Sequence, residues 1–198
     1  YCPNCGYKRS DLMYAVTDII DINADGSTIK FNDLEVSINQ SGTYNIYNGL
    51  CAYSIAKELG IDDSVIKKSL ENQSSSFGRQ ETINIEGKDV KIFLVNNQSL
   101  DTICLNKERF AAAFLLNDNY ADGQDVSWIW DVDFEKLTET NIDEVYISGL
   151  RAYDMAVRLK TAGLDPNKFV IEEQYEALTE AIKNGSCDKL YILATYTA

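Results

Sequence analysis

Residues 110–135 read Phe110-Ala-Ala-Ala-Phe-Leu-Leu116, then Asn117-Asp-Asn-Tyr-Ala-Asp-Gly-Gln-Asp-Val-Ser-Trp-Ile-Trp-Asp-Val-Asp-Phe-Glu135. The first part is an unbroken apolar run and predicts a buried strand. The second holds five aspartates and both tryptophans of the chain. The acids therefore emerge from a strand end, the place where open α/β sheets collect ligands and catalytic groups. The chain contains no histidine. A carboxylate cluster without its own histidine cannot complete a Cys-His-Asp or Ser-His-Asp relay. Either the acids do metal or substrate work, or a partner chain brings the remaining members.

The segments on both sides set the fold class. Downstream, Glu144–Ser148 reads as a strand, and Leu150–Ala162 as an amphipathic helix ended by Gly163. Lys168–Ile171 is a second strand, Gln174–Lys183 a helix ended by Asn184-Gly185, and Lys189–Ala194 a last strand. Upstream, Glu81–Ile85 and Val90–Val95 form a hairpin, followed by a short helix around Leu100–Glu108. Strands alternating with helices of about ten residues predict a mostly parallel, three-layer, Rossmann-like α/β domain. Ser148-Gly149-Leu150-Arg151-Ala152-Tyr153 leaves a strand and opens a helix, a setting that suits either an anion site or an ordinary capped helix.

The first part of the chain is different. Tyr14–Ile22, Ser27–Phe31 and Leu34–Ile38 are separated by turn-forming Asn-Ala-Asp-Gly and Asn-Asp and predict an antiparallel meander. A helix follows over Asn45–Gly60, and Asp62 caps a second one through Leu70. The polar stretch Asn72–Ser76 is a linker, so the domains are read as residues 1–78 and 79–198.

Composition narrows the function classes. A hydrophobic content of 45% is ample for a core. Eighteen basic against 31 acidic residues leave a net charge of -13. That argues against nucleic acid, whose binders carry a basic patch, and against anionic membranes. No apolar run approaches the roughly 20 residues needed to span a bilayer, so an integral membrane protein is not expected. The five cysteines at 2, 5, 51, 104 and 187 are unevenly spaced and odd in number, which fits reduced thiols and a cytoplasmic location. Cys2-Pro-Asn-Cys5-Gly6 has the form of one zinc knuckle, whereas a ribbon site needs two. A redox pair is the other reading of Cys2 and Cys5. On the metal reading, the chain is expected to be the C-terminal part of a larger protein, carrying half of a zinc ribbon.

Two short motifs carry a resemblance. Gly42-Thr43-Tyr44-Asn45-Ile46-Tyr47-Asn48-Gly49-Leu50 resembles the strand-to-helix motif of Mur ligases, and Phe77-Gly78-Arg79-Gln80-Glu81 resembles the arginine motif that opens their C-terminal domain. Adding Cys-Pro-x-Cys-Gly, the 117–135 segment and Ser-Gly-x-Arg-Ala-Tyr-Asp, the whole chain resembles the MurT family, the ligase subunits of lipid II isoglutaminyl synthases.

The resemblance implies the tail of a Mur ligase central domain (partial zinc ribbon, meander, two helices) followed by the α/β domain. It implies ATP-dependent amidation of the D-glutamate α-carboxyl in the lipid II stem peptide, by phosphorylation and attack of ammonia. The ammonia would come from a GatD-like glutaminase partner with a nucleophilic Cys and a His, the MurT-type chain supplying the acid of that triad. ATP and Mg would serve the intact protein, with Asn45, Asn48 and Arg79 at the nucleotide. Amides suit an adenine edge, and a guanidinium fork suits phosphate or ribose oxygens. Capping of a helix N-terminus is the plainer role for Asn45 and Asn48. Asp131, which directly follows the two tryptophans, is the first choice for the triad acid, with Asp125 second and Asp122 and Asp133 behind them.

The family's phosphate loop, Mg-binding acids and first zinc knuckle find no counterpart in these residues, so the chain alone is expected to be inactive. Asn96-Asn97-Gln98-Ser99 stands where the family has Lys-Asn-Pro-Ala-Gly. Two further readings stay open: a muramyl- or folylpolyglutamate-type ligase without a glutaminase, and a non-catalytic module that docks a partner.

Overall fold

The computed structural model describes residues 2–73 and 80–198. The chain divides into two compact units, Tyr1–Gln73 and Ser74–Ala198. The boundary drawn from sequence at 78/79 falls outside the described residues, as do Phe77, Gly78 and Arg79.

In the first unit, β1 (Val16–Ile22), β2 (Ser27–Phe31) and β3 (Leu34–Ile38) form an antiparallel sheet in chain order. Alternate residues Ile29, Phe31, Val36 and Ile38 are buried on one face, as the two-residue period of a strand requires. Helices α1 (Thr43–Glu58) and α2 (Asp63–Glu71) cover that face with Ile46, Tyr53, Ile66 and Leu70. Phe31 stacks on Tyr53 at 5.4 Å between ring centroids. Helix α1 begins two residues before the expected start, whereas α2 begins directly after Asp62, as expected. Asp62 holds the N-cap position of α2 with extended backbone, but its carboxylate makes no capping hydrogen bond.

The second unit is a six-stranded sheet in the order β4-β5-β9-β6-β7-β8. Its strands are β4 (Glu81–Ile85), β5 (Lys88–Leu94), β6 (Phe110–Leu115), β7 (Ile142–Ser148), β8 (Phe169–Ile171) and β9 (Lys189–Ala194). The β4–β5 hairpin is antiparallel and every other pairing is parallel. Its turn, Glu86-Gly87, has φ of 51° and 87°, the two positive values that match a hairpin to the strand twist.

Helices α3 (Asn97–Cys104), α4 (Ala152–Thr161) and α5 (Tyr175–Asn184) supply the outer layers. Side-chain parity shows the three layers directly. Ala112, Phe114, Val145, Ile147, Tyr191 and Leu193 join Leu100 and Ile103 of α3 and Met155 and Leu159 of α4 in one core. Ala111, Ala113, Leu115, Tyr146, Leu190 and Ala194 join Leu178 of α5 in another. The links β5→β6, β6→β7 and β7→β8 all run one way across the sheet, whereas β8→β9 runs back. Right-handed crossovers therefore place α5 alone on the opposite face.

The 117–135 segment stands where a crossover helix would, and it is not plain loop. It contains the 3-10 helix Ser127–Asp131 and leads into a second, Phe134–Glu139. Ile129, Val132 and Phe134 bury themselves in the core beneath it. Helix α3 starts earlier than predicted because Asn96 caps it, its side chain accepting from Ser99 N at 2.9 Å. The residues that replace the family's Lys-Asn-Pro-Ala-Gly are thus the first turn of a helix and its cap.

Candidate functional site

The carboxyl ends of β6, β7, β8 and β9 meet around a cavity of about 520 Å³, lined by Asn117, Asn119, Gly149, Leu150, Tyr175 and Thr197 among others. Asn117 ties these ends together. Its Oδ1 accepts from Leu150 N at 2.9 Å, and its Nδ2 donates to Thr197 O at 3.1 Å. Its backbone N donates to Thr195 Oγ1 at 3.0 Å. Gly149 follows β7 with φ 97°, and a Cβ there would lie 2.4 Å from Leu116 O, so only glycine lets the chain turn this close to β6.

The five aspartates have separate environments. Asp118 pairs with Arg151 at 3.0 Å, and Arg151 also holds Asp154 at 2.6 Å. The Arg151 guanidinium keeps the Asp154 carboxyl below the usual carboxylate range. Both contacts engage the arginine of the expected anion site with acids of its own chain. Asp122 accepts from Thr197 N at 2.8 Å and also bonds the Thr197 hydroxyl. Asp133 lies 3.2 Å from Lys136, which also reaches Asp101 on α3 at 2.7 Å.

Asp125 and Asp131 sit at the two ends of the 3-10 helix Ser127–Asp131. Asp125 is exposed, and its Oδ1 accepts from Ser127 N at 2.8 Å. That backbone N–H holds its carboxyl below the ordinary value. Asp131 is also exposed. Its carboxylate has no hydrogen-bond partner among the described residues, but its backbone is pinned. Asn97 Nδ2 donates to Asp131 O at 3.1 Å, and Asn97 Oδ1 accepts from Asp133 N at 2.7 Å.

Arg158 anchors the same helix from below. It is 3% exposed, and its Nε donates to Ile129 O at 3.0 Å and its Nη2 to Val132 O at 2.7 Å. Nη1 and Nη2 each reach a Glu135 carboxylate oxygen at 2.9 Å, and this pairing lowers the Glu135 pKa. Sequence reasoning passed over Arg158 and Asn97. The available signal was a cation at 158 among the buried Ala152, Met155, Leu159 and Ala162, on the face of α4 that patterning assigns to the core.

The other expected site residues lie in the first unit. Asn45 and Asn48 share a face of α1, Asn48 Nδ2 standing 3.4 Å from Asn45 Oδ1. Neither caps the helix: the N-cap is Gly42, and Asn45 instead donates to Ser41 O at 2.8 Å. Arg79 lies outside the described residues. The Cys2–Cys5 segment closes through Gly6 N to Cys2 O at 2.9 Å. The backbone N–H groups of Cys5 and then Asn4 push the Cys2 thiol pKa down, as suits a thiolate ligand. Among the described residues no third Cys, Asp or Glu joins these two thiols in a ligating cluster.

Asp143, Glu144 and Cys187 do come together at the opposite end of the sheet. There Asp143 is held by Arg109, and Glu144 accepts from Ser186 N and Oγ and from Tyr146 Oη. These donors already satisfy the carboxylates, and a guanidinium in the cluster opposes a cation. Among the described residues no helix is long and apolar enough to cross a membrane.

A three-layer α/β unit of this strand order, joined to a meander with two helices, is a Mur-ligase-type fold. MurF from Acinetobacter baumannii superposes with a TM-score of 0.68 at 18% identity, over 91% of this chain and 41% of that chain. The chain itself belongs to the MurT ligase family, whose C-terminal domain, described as "MurT ligase C-terminal", matches residues 94–198. It is 40% identical over 202 aligned residues to the "Lipid II isoglutaminyl synthase (glutamine-hydrolyzing) subunit MurT" of Streptococcus pneumoniae R6, covering 100% of this chain and 45% of the relative. It is 32% identical to the Staphylococcus aureus COL protein of the same name, covering 92% and 42%. The chain thus spans less than half the length of these relatives.

Proposed function

We propose that this chain is part of the ligase subunit of a glutamine-dependent amidotransferase, and that its 3-10 helix Ser127–Asp131 supplies the acid of a catalytic triad completed by a GatD-like glutaminase. The observation that carries this reading is an exposed, oriented aspartate, Asp125, on an anchored 3-10 helix in a chain without histidine. A triad acid must hold the imidazole in one tautomer and stabilise the imidazolium, so its carboxylate must be both fixed and ionised. Asp125 meets both conditions: the Ser127 N–H first, and the Ser127 hydroxyl second, hold the carboxylate and favour its charged form, and the exposed carboxylate faces solvent, where a partner's histidine can approach. Asp131 has a pinned backbone, but its carboxylate has no hydrogen-bond partner among the described residues. That difference puts Asp125 ahead of Asp131, the reverse of the order expected from sequence alone.

In the whole protein the acceptor would be the α-carboxyl of D-glutamate in the lipid II stem peptide. ATP with Mg would supply the phosphoryl group that activates that carboxyl, and ammonia would displace phosphate to leave the amide. Asn45, Asn48 and Arg79 are the nucleotide contacts that this chain would contribute. Structural zinc would use Cys2 and Cys5 together with ligands beyond the described residues.

The test is glutamine hydrolysis by the complete subunit with its glutaminase partner, comparing Asp125→Asn with Asp131→Asn. Loss of the triad acid costs about 10⁴ in rate in a serine-protease setting. Asp125→Asn is expected to abolish glutamine hydrolysis to a comparable degree, while complex formation and ligation with supplied ammonia persist. Loss with Asp131→Asn alone would restore the order expected from sequence. Wild-type hydrolysis in both variants would overturn the triad.

A further inference from the structure

The most unusual single side chain in the second unit is Arg158, whose surroundings are a buried helix face. At such a position an aliphatic residue of similar volume is often as stabilising as a paired charge. The guanidinium has five N–H donors in a rigid fork, and the contacts they make decide what the residue is for. All of its hydrogen bonds run to one short segment: Ile129 O, Val132 O and both carboxylate oxygens of Glu135. Its Cζ lies 5.3 Å from the ring centre of Trp130 and 5.3 Å from that of Phe134. Trp130 is 53% exposed, so it forms a half-open cover over the buried cation. On the other side of the segment, Asn97 of α3 grips Asp131 O and Asp133 N with one amide.

We propose that Arg158 is a positioning residue that sets the aim of the 3-10 helix Ser127–Asp131, so that the acids at its two ends meet an incoming partner already oriented. The proposal rests on the reading of that helix as the source of the triad acid. A 3-10 helix of five residues has poor hydrogen-bond geometry and little stability of its own. Its direction is therefore set from outside, by Arg158 through Ile129 O and by Asn97 through Asp131 O. Lysine in place of Arg158 keeps the charge but loses the fork, so it cannot hold two carbonyls and a carboxylate together.

The experiment uses the complete ligase subunit in complex with its glutaminase, carrying Arg158→Lys, with Asn97→Ala as a half-buried second variant outside the apolar core. A displacement of about 1 Å at a catalytic group can cost about 10²-fold. Arg158→Lys is expected to lower the kcat of glutamine hydrolysis by roughly that factor, with the KM for glutamine and ammonia-driven ligation unchanged. Asn97→Ala is expected to show a smaller loss of the same kind. Trp130 emission should shift in Arg158→Lys as the cover over the cation loosens. If hydrolysis and ligation fall together in proportion to the folded fraction, Arg158 is structural only and the proposal fails. Full hydrolysis in both variants, beside an inactive Asp125→Asn or Asp131→Asn protein, also overturns it. Silent acid variants would instead sink the triad reading on which it rests.

Discussion

Asn45 and Asn48 show how a side chain can be structurally employed and still be available to a ligand. Asn45 is buried and bonded to Ser41 O, whereas Asn48 is exposed and touches Asn45 Oδ1 with one of its two amide protons. On the proposed nucleotide reading, the Oδ1 and second N–H of Asn48 would meet an adenine edge. In the complete ligase, alanine at Asn45, Asn48 or Arg79 is expected to raise the ATP concentration for half-maximal activity. The rise should be about tenfold each, the equivalent of about 1.4 kcal/mol. Asn45→Ala should also cost about 1 kcal/mol of stability from its lost buried hydrogen bond, and Asn48→Ala should not. Titration of ATP alongside thermal melting separates the two effects. Unchanged ATP dependence in all three variants would reduce these residues to packing.

At the scale of elements, the amino end of the parallel sheet is bound by carboxylates. Arg109 beside Asp143 holds that carboxyl below its usual range. For Glu144, burial pushes upward, but hydrogen bonds from Ser186 and Tyr146 outweigh it and the net shift is down. Tyr146 moves up, through burial first and the Glu144 carboxylate second. Glu135 under Arg158 is lowered as well. A carboxyl depressed in the folded state stabilises fully above its unfolded pKa, near 4, and loses that contribution as the pH falls through the lower folded value. The second unit is therefore expected to lose stability below about pH 4, read as a falling denaturant midpoint in tryptophan emission. Asp143→Asn should flatten that decline. A midpoint constant from pH 5 to pH 3 would refute the assignment. The same scale shows why α3 was misplaced in the sequence reading. Asn96, Asn97, Gln98 and Ser99 read as loop by composition, yet an asparagine side chain on Ser99 N is enough to start the helix there.

For the whole molecule, a charge of -13 and a lone Cys-x-x-Cys knuckle set the expectations. On the proposed zinc reading, Cys2 and Cys5 would supply two of the four ligands that structural zinc takes. The chain by itself is expected to hold less than one tightly bound equivalent, stripped readily by a chromogenic chelator. One equivalent that resists the chelator would require two further ligands.

What the sequence determined by itself was the period of its elements. The apolar runs at 110–116, 145–147 and 190–194 and the glycines that close the helices specify a mostly parallel three-layer unit, because those signals are local and the central strands bury both faces. The sequence also placed the acids at a strand end. The aim of those acids was decided only by tertiary structure. Arg158 reaches Glu135 across 23 residues, Asn97 reaches Asp133 across 36 and Asn117 reaches Thr197 across 80. Hydrogen bonds of that span have no sequence period. They exist only once the β6, β7 and β9 ends and the flanks of α3 and α4 have packed side by side.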